Sequence, residues 1–405
     1  MQSSINPSDL GKRFKQMIPY LSNQVQYAQR LLGSQRIQPI TQSNWYQPRE
    51  IVQGAPDFNS ILIAQSQAMP LTNQFPLSAQ RWQSIDAYLL KHQTRAFLVQ
   101  WKGQLVHQFY HQFKPHYQFN SMSMLKTLVA LMVGIAIDKG LIADVHVKAA
   151  DFLPEWRHDQ RREISIEHLL SMQSGLKSDV KLDAKTWVLP IIPLYLGDEI
   201  ERTALALPAV APAGQYFEYN NYNTQILGII LQRATGLSAA QLLSKYLWQP
   251  LHCHSGFLWL DKPNGQARTF GAFFAQAQDW LRVGQLFVND GRFEGQQIVS
   301  EQWLHEMQIP RNTAERGVID GHADYGYQLW LKAHDYGLIR GIPWFEATHA
   351  TTAFHDDELV YLEGLRGQCL FIHPRHDLVV LRMGERPKKD CDMSWMINQL
   401  CQVLN

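Results

Sequence analysis

The sequence predicts an α+β fold: an antiparallel β-sheet flanked by helices, with an all-helical domain inserted into it. Residues 96–101 and 104–110, joined by Lys102-Gly103, read as a β-hairpin near the start of the body. Residues 367–372 and 377–383, joined by the turn Pro374-Arg375-His376, read as strands near its end. Between them, from about residue 123 to about residue 265, the chain is mostly helical and broken by Pro and Gly. Strands at both ends with helices between imply one sheet assembled from both parts of the chain.

Taken in order, residues 1–75 are rich in Gln, Asn, Ser and Pro and weakly periodic. They are expected to be an extension wrapped on the surface, with one helix around residues 22–32 and a short strand at Ile61-Leu62-Ile63-Ala64. Helical apolar spacing at Trp82, Ile85, Tyr88 and Leu89 marks a helix over 78–92. A stronger helix covers 123–140, following polar Asn120-Ser121 and ending at a Gly. Helices are also expected over 224–234, 279–289, 300–307 and 393–404, and a further strand over 325–333. The division that follows is an extension (1–75), an α/β domain (76–122 and 266–405) and a helical domain (123–265).

Composition narrows the function classes. Lys+Arg (37) and Asp+Glu (36) nearly cancel, so no global field draws nucleic acid or anionic lipid. Four cysteines without a C-x-x-C pair exclude a disulfide scaffold, a zinc ribbon and a thioredoxin-type motif. The most apolar run, 128–137, is shorter than the roughly 20 residues that span a bilayer, and Asp138-Lys139 closes it. With no secretory pattern in the first twenty residues, a cytoplasmic protein is expected, although a periplasmic one in mature form would read the same way.

The sharpest chemical feature is Ser123-Met124-Leu125-Lys126, an S-x-x-K at the head of the most apolar helix. Residues i and i+3 share a helical face, so the lysine can reach the serine hydroxyl. The helix N-terminus offers partial positive charge and unpaired N–H groups to a developing oxyanion. A lysine facing an apolar interior has its pKa lowered, as a base working near neutrality requires. Bringing it there from about 10.4 amounts to ~4 kcal/mol of differential interaction. Alone, the motif is weak, and a serine cap with a solvated lysine is the reading it favours.

Two further elements accompany it. Tyr219-Asn220-Asn221 precedes a helix; a tyrosine beside Lys126 could relay a proton, and Asn221 could hold the lysine and a substrate carbonyl. A packed tyrosine in a polar loop is the alternative. The stretch Leu362-Glu363-Gly364-Leu365-Arg366-Gly367 leads into the last hairpin, where closely spaced glycines let a backbone approach a substrate. One N–H there could pair with that of Ser123 as an oxyanion hole. An ordinary glycine-containing edge strand reads the same way. His252-Cys253-His254 lacks an adjacent acid and reads as a surface loop, and His373-Pro374-Arg375-His376-Asp377 has conformational reasons to be a turn.

In this order the three elements resemble the serine β-lactamase and penicillin-binding superfamily. The resemblance is closest to its class C-like branch, which includes 6-aminohexanoate-dimer (nylon-oligomer) hydrolases and related esterases. It extends over roughly residues 80 to 400, through SMSMLKTLVALMVGIAIDKGLI (121–142), ISIEHLLSMQSGL (164–176), the Y-x-N at 219–221, DWLRVGQLFVNDGRFEGQQIVS (279–300) and the strands of 364–384. The resemblance implies Ser123 as acyl-enzyme nucleophile, Lys126 as its proton acceptor and Tyr219 as general acid/base. It further implies Asn221 as the Y-x-N asparagine and the N–H groups of Ser123 and Leu365, with Gly364 allowing close approach, as the oxyanion hole. The family's third motif is often Lys-Thr-Gly or His-Thr-Gly; here Leu362-Glu363-Gly364 stands in its place, and Thr127 replaces a frequent Ser. The missing cation turns the expectation away from penicillin-like carboxylates, and Glu363 could attract an ammonium group.

The expected protein is therefore a serine hydrolase that cleaves a small-molecule amide or ester, with no cofactor or metal for its chemistry and no nucleic-acid partner or membrane span. The sequence is silent on its oligomeric state. β-Lactamase or D,D-peptidase activity is the alternative within the family, and a catalytically silent protein binding a peptide or cell-wall fragment is the alternative outside it.

Overall fold

A computed structural model describes residues 24–34, 39–56, 71–72, 74–179, 181, 189–312, 325–332, 353–356 and 358–404. The expected strand at 61–64 lies outside them. The strands are β1 (Arg49–Val52), β2 (Thr94–Trp101), β3 (Gln104–Tyr110), β4 (Gln118–Asn120), β5 (Gly256–Trp259), β6 (Phe273–Gln276), the small hairpin β7–β8 (Arg292–Phe293 and Gln296–Gln297), β9 (Val360–Gly364), β10 (Gln368–His373) and β11 (Leu378–Gly384). The principal helices are α1 (Gln24–Ser34), α2 (Ala79–Lys91), α3 (Leu125–Asp138), α4 (Asn221–Thr235), α5 (Ala277–Val288), α6 (Glu301–Met307) and α7 (Met393–Cys401).

The main sheet is antiparallel, in the order β3-β2-β11-β10-β9, so the early hairpin and the late hairpin meet along β2 and β11. Val99 faces Val380 and Leu98 faces Leu381 across that seam. Because side chains alternate along a strand, Phe97, Val99, Val380 and Phe371 enter one apolar layer with Ile85 and Leu89 of α2 and Met396, Ile397 and Leu400 of α7. Ala96, Leu98, Leu370 and Leu381 enter the other, which holds Leu281 and Val283 of α5 and nearly all of α3. The sheet with helices on both faces is the α+β architecture expected from the sequence. Ser78 caps α2 by accepting from Arg81 N, and Ser300 caps α6 by accepting from Trp303 N.

The described part of residues 1–75 is built into the body rather than wrapped on its surface. β1 pairs antiparallel with β5 in a second sheet, β1-β5-β6-β4, and Ile40, Tyr46 and Val52 are buried. Arg30 reaches inward to the carbonyls of Leu196, Gly197 and Asp261. Polar composition misleads there because a few apolar and charged side chains do the anchoring. Of the strand expected at 325–333, the described residues 325–332 form isolated bridges instead: Tyr325 and Trp330 bridge each other, and Trp330 bridges Tyr361 of edge strand β9 through two hydrogen bonds. No single helix among the described residues is long and apolar enough to cross a membrane.

Helix α3 is almost wholly buried, which explains its apolarity on every side. A Cβ at Gly134 would stand 2.2 Å from the Trp303 ring, whose Nε1–H donates to Ala130 O at 3.1 Å. Gly134→Val is therefore expected to displace Trp303 and destabilise the protein by about 1–3 kcal/mol in denaturant unfolding. An unfolding midpoint equal to wild type would contradict this packing.

Candidate active site

The chain reaches Ser123 through a locally strained turn. Met122 has φ 49°, the left-handed region that a β-carbon disfavours. Asn120 holds it there: its Oδ1 accepts from Met122 N at 3.0 Å while its Nδ2 donates to Pro39 O at 3.1 Å. Ser121 N donates to Phe273 O on β6 at 2.8 Å. A short 3₁₀ turn, Met122–Met124, then runs into α3. The helix expected to start at Ser123 thus begins as a tighter turn, with Ser123 partly exposed and Met124 fully buried. Thr127 is accommodated by donating to Gln328 O at 2.6 Å, and Gln328 in turn binds Thr224 of α4 and the carbonyls of Leu169 and Leu170.

Lys126 is only 1% exposed. Its Nζ lies 2.9 Å from Ser123 Oγ, 2.8 Å from Asn221 Oδ1 and 2.7 Å from Phe270 O. Two of these three partners only accept hydrogen bonds in this arrangement. A neutral lysine amine must therefore spend both hydrogens on Asn221 and Phe270, and its lone pair points at the Ser123 hydroxyl. Burial lowers the pKa of Lys126 to about 7, against the opposing pull of the Asp179 charge.

Asp179 was not singled out by the sequence. It is fully buried, and its Oδ2 accepts from Asn221 N at 2.9 Å and from Asn221 Nδ2 at 2.7 Å. Since a carboxylate oxygen only accepts, this contact sets the amide of Asn221 with Nδ2 toward Asp179 and Oδ1 toward Lys126. Burial raises the Asp179 pKa to about 6, even with Asn221 and Lys126 working in the other direction. Asn221 itself is the first residue of α4, whose cap is Asn220, accepting from Tyr222 N at 3.0 Å. Helix α4 therefore starts three residues earlier than the sequence pattern indicates.

The Tyr219 ring lies 5.0 Å from Lys126 Nζ and stacks on Trp330 (5.6 Å, 18°), with Tyr325 edge-on. Burial pushes its phenol above the usual range, a hydrogen bond with Ser123 pulls it partly back, and the charge of Glu363 pushes it up again. Tyr219 and Lys126 are thus driven apart: the phenol keeps its proton while the amine sheds its own near neutrality.

The third element closes the other side. A Cβ at Gly364 would meet Ser121 O at 2.4 Å and Ser123 N at 3.1 Å, so only glycine lets β9 pass this close to the backbone of Ser123. Leu365 follows in the turn to β10, where Arg366 and Gly367 take φ values of 69° and 74°. Buried Gln368 donates to Leu365 O and Arg366 O, and buried Arg382 donates to Arg366 O and Gly367 O, which fixes the turn from behind. Arg366, the nearest cation along this turn, is tied to Glu385 at 3.1 Å. Lys126, Tyr219, Asn221 and Gly364 therefore gather around Ser123, with Glu363 and Leu365 flanking Gly364, and Asp179, Asn120 and Arg382 join as supports that the sequence left unmarked.

His254 departs from its sequence reading: it has an acidic partner, buried Asp279, at 2.9 Å, and Arg282 shares the same oxygen at 3.0 Å. The partner is distant in sequence and came into view only with the fold.

This fold and this clustering define a serine hydrolase of the β-lactamase type, and the chain belongs to the Beta-lactamase family, which it matches over residues 90–394. It is similar to the 6-aminohexanoate-dimer hydrolase of Paenarthrobacter ureafaciens, with 24% identity over 318 residues, covering 73% of this chain and 74% of that protein. Among solved structures it is similar to a Bacillus anthracis protein provisionally named a 6-aminohexanoate-dimer hydrolase (TM-score 0.70, 19% identity, 90% of this chain and 92% of that one). A family VIII carboxylesterase shares the fold as well (TM-score 0.59, 15% identity, 88% of this chain and 99% of that one).

Proposed function

We propose that the protein hydrolyses a linear amide or ester through an acyl-enzyme on Ser123. The observation that carries this reading is the Lys126 amine, 2.9 Å from Ser123 Oγ with its other hydrogens committed elsewhere. Neutral Lys126 takes the Ser123 proton as Oγ attacks the substrate carbonyl carbon. The resulting oxyanion is met by the N–H groups of Ser123 and Leu365. Tyr219 gives its proton to the leaving nitrogen or oxygen as that bond breaks, and the Lys126 ammonium resupplies it. A water molecule then attacks the acyl carbonyl, its proton passing back through the same pair, and Ser123 is released. Asn221 orients the lysine and reaches the substrate carbonyl, and Glu363 favours a substrate whose far end carries an ammonium group, as an ω-amino amide does. Its charge is felt at Tyr219, and Arg366 is engaged by Glu385, which leaves the third motif without a cation for a penicillin-like carboxylate.

Fluorophosphonate labelling and p-nitrophenyl ester turnover test the chemistry. Wild type should label at Ser123, and Ser123→Ala should lose labelling with a fall in turnover of at least about 10³-fold. Equal labelling and turnover in both proteins would sink the proposal. A parallel panel of ω-amino amides, short-chain esters and nitrocefin should show amide or ester turnover above that of nitrocefin; the reverse order makes the protein a β-lactamase.

The pH profile tests the role of Lys126. Because the neutral amine is the active form, kcat/KM should rise with pH through about 7. The Asp179 charge raises the lysine pKa, so Asp179→Asn should move this rising limb to lower pH. A limb that stays in place or moves upward contradicts the coupling.

A further inference from the structure

A second cluster of chemically capable side chains lies at the far end of the main sheet. His373 ends β10, His376 follows in the turn to β11, and Asp356 stands on residues 353–356, just ahead of β9. Gly364 pairs with Gln368 and Val360 with Ile372, so His373 is five residues along β10 from the catalytic end, about 16 Å at 3.3 Å per residue. The cluster is therefore separate from the Ser123 site.

His373 Nε2 lies 3.1 Å from Asp356 Oδ2, and His376 Nε2 lies 3.8 Å from the same oxygen. One ligand atom from each of the three residues falls within 4.8 Å of the others. The His373 side chain is wholly buried, yet neither ring nitrogen completes a hydrogen bond of good geometry. That is unusual for a buried imidazole, which ordinarily satisfies both nitrogens. The two rings approach each other at 4.2 Å between centroids with a 47° tilt, so both can turn nitrogens toward one point.

These separations match a single small cation. Ligands bound at about 2.0–2.1 Å in a tetrahedron stand ~3.4 Å apart, close to the spacings seen here. Two imidazoles and one carboxylate form a set suited to zinc and unlike the all-oxygen sets of calcium or magnesium. Asp356 and His376 are partly exposed, which leaves a fourth position open to water. Such an ion joins the turn after β10 to the segment before β9, the edge strand that carries Glu363 and Gly364 to the catalytic site.

We propose that Asp356, His373 and His376 form a zinc-binding site that clamps the start of β9 to the β10–β11 turn. The role is structural, and Ser123 chemistry does not pass through it.

Chelator-treated full-length protein, titrated with Zn²⁺ against a chromophoric competitor, should bind one ion per chain. Asp356→Asn and His376→Gln, both at partly exposed positions, should each weaken that binding more than about tenfold. His146→Gln, at an exposed histidine elsewhere, should leave it unchanged. Co²⁺ in place of zinc should give the intense visible bands of a four-coordinate site in wild type and lose them in both ligand variants. No stoichiometric ion in folded wild type, or wild-type affinity retained in Asp356→Asn and His376→Gln, overturns the assignment.

Discussion

The site depends on the burial of one amine. Lys126 is removed from water, and the hydration it loses is replaced by three oxygen partners rather than by a facing carboxylate. A carboxylate in direct contact would hold the lysine charged. Asp179 is instead set one residue back, behind Asn221, where its charge is felt while its oxygen bonds the amide. The balance leaves Lys126 close to neutrality, where both of its protonation states are accessible.

The rest of the fold maintains this geometry. β4 and β6 hold the turn before Ser123, the buried cap and first turn of α4 deliver Asn221, and the aromatic stack of Trp330 and Tyr325 holds Tyr219 beside Ser123. β9 approaches because position 364 has no side chain. Local strain at Met122 is tolerated because Asn120 and the β6 backbone fix its neighbours on both sides. A site built on strand ends and helix starts is held more firmly than one built on loops alone.

Much of this was legible in the sequence. The S-x-x-K spacing carries its own geometry, since a lysine three residues on in a helical turn must face the serine. The strands of the two hairpins followed from local pattern, and the order of the blocks pointed to the family. The supports were hidden for a physical reason: Asp179 precedes Asn221 by 42 residues, and nothing local distinguishes it from any loop acid. Asn120 read only as a polar residue ahead of the helix, and it holds a strained turn. Tyr325 and Trp330 had the composition of a strand, but they pair through single bridges and spend their rings on Tyr219. The polar look of residues 39–52 concealed buried Ile40 and Tyr46, because anchoring needs few residues when the rest of the surface is already formed. Asp356 and His373 were 17 positions apart, and a turn explained the histidines well enough until the fold brought the acid to them.

The most direct test of the central claim is the protonation state of Lys126 itself. In protein labelled with ¹³C at lysine Cε, the resonance that disappears in Lys126→Arg should titrate with a midpoint near 7. A midpoint near 10.4, that of a solvated lysine, would contradict the account of the site.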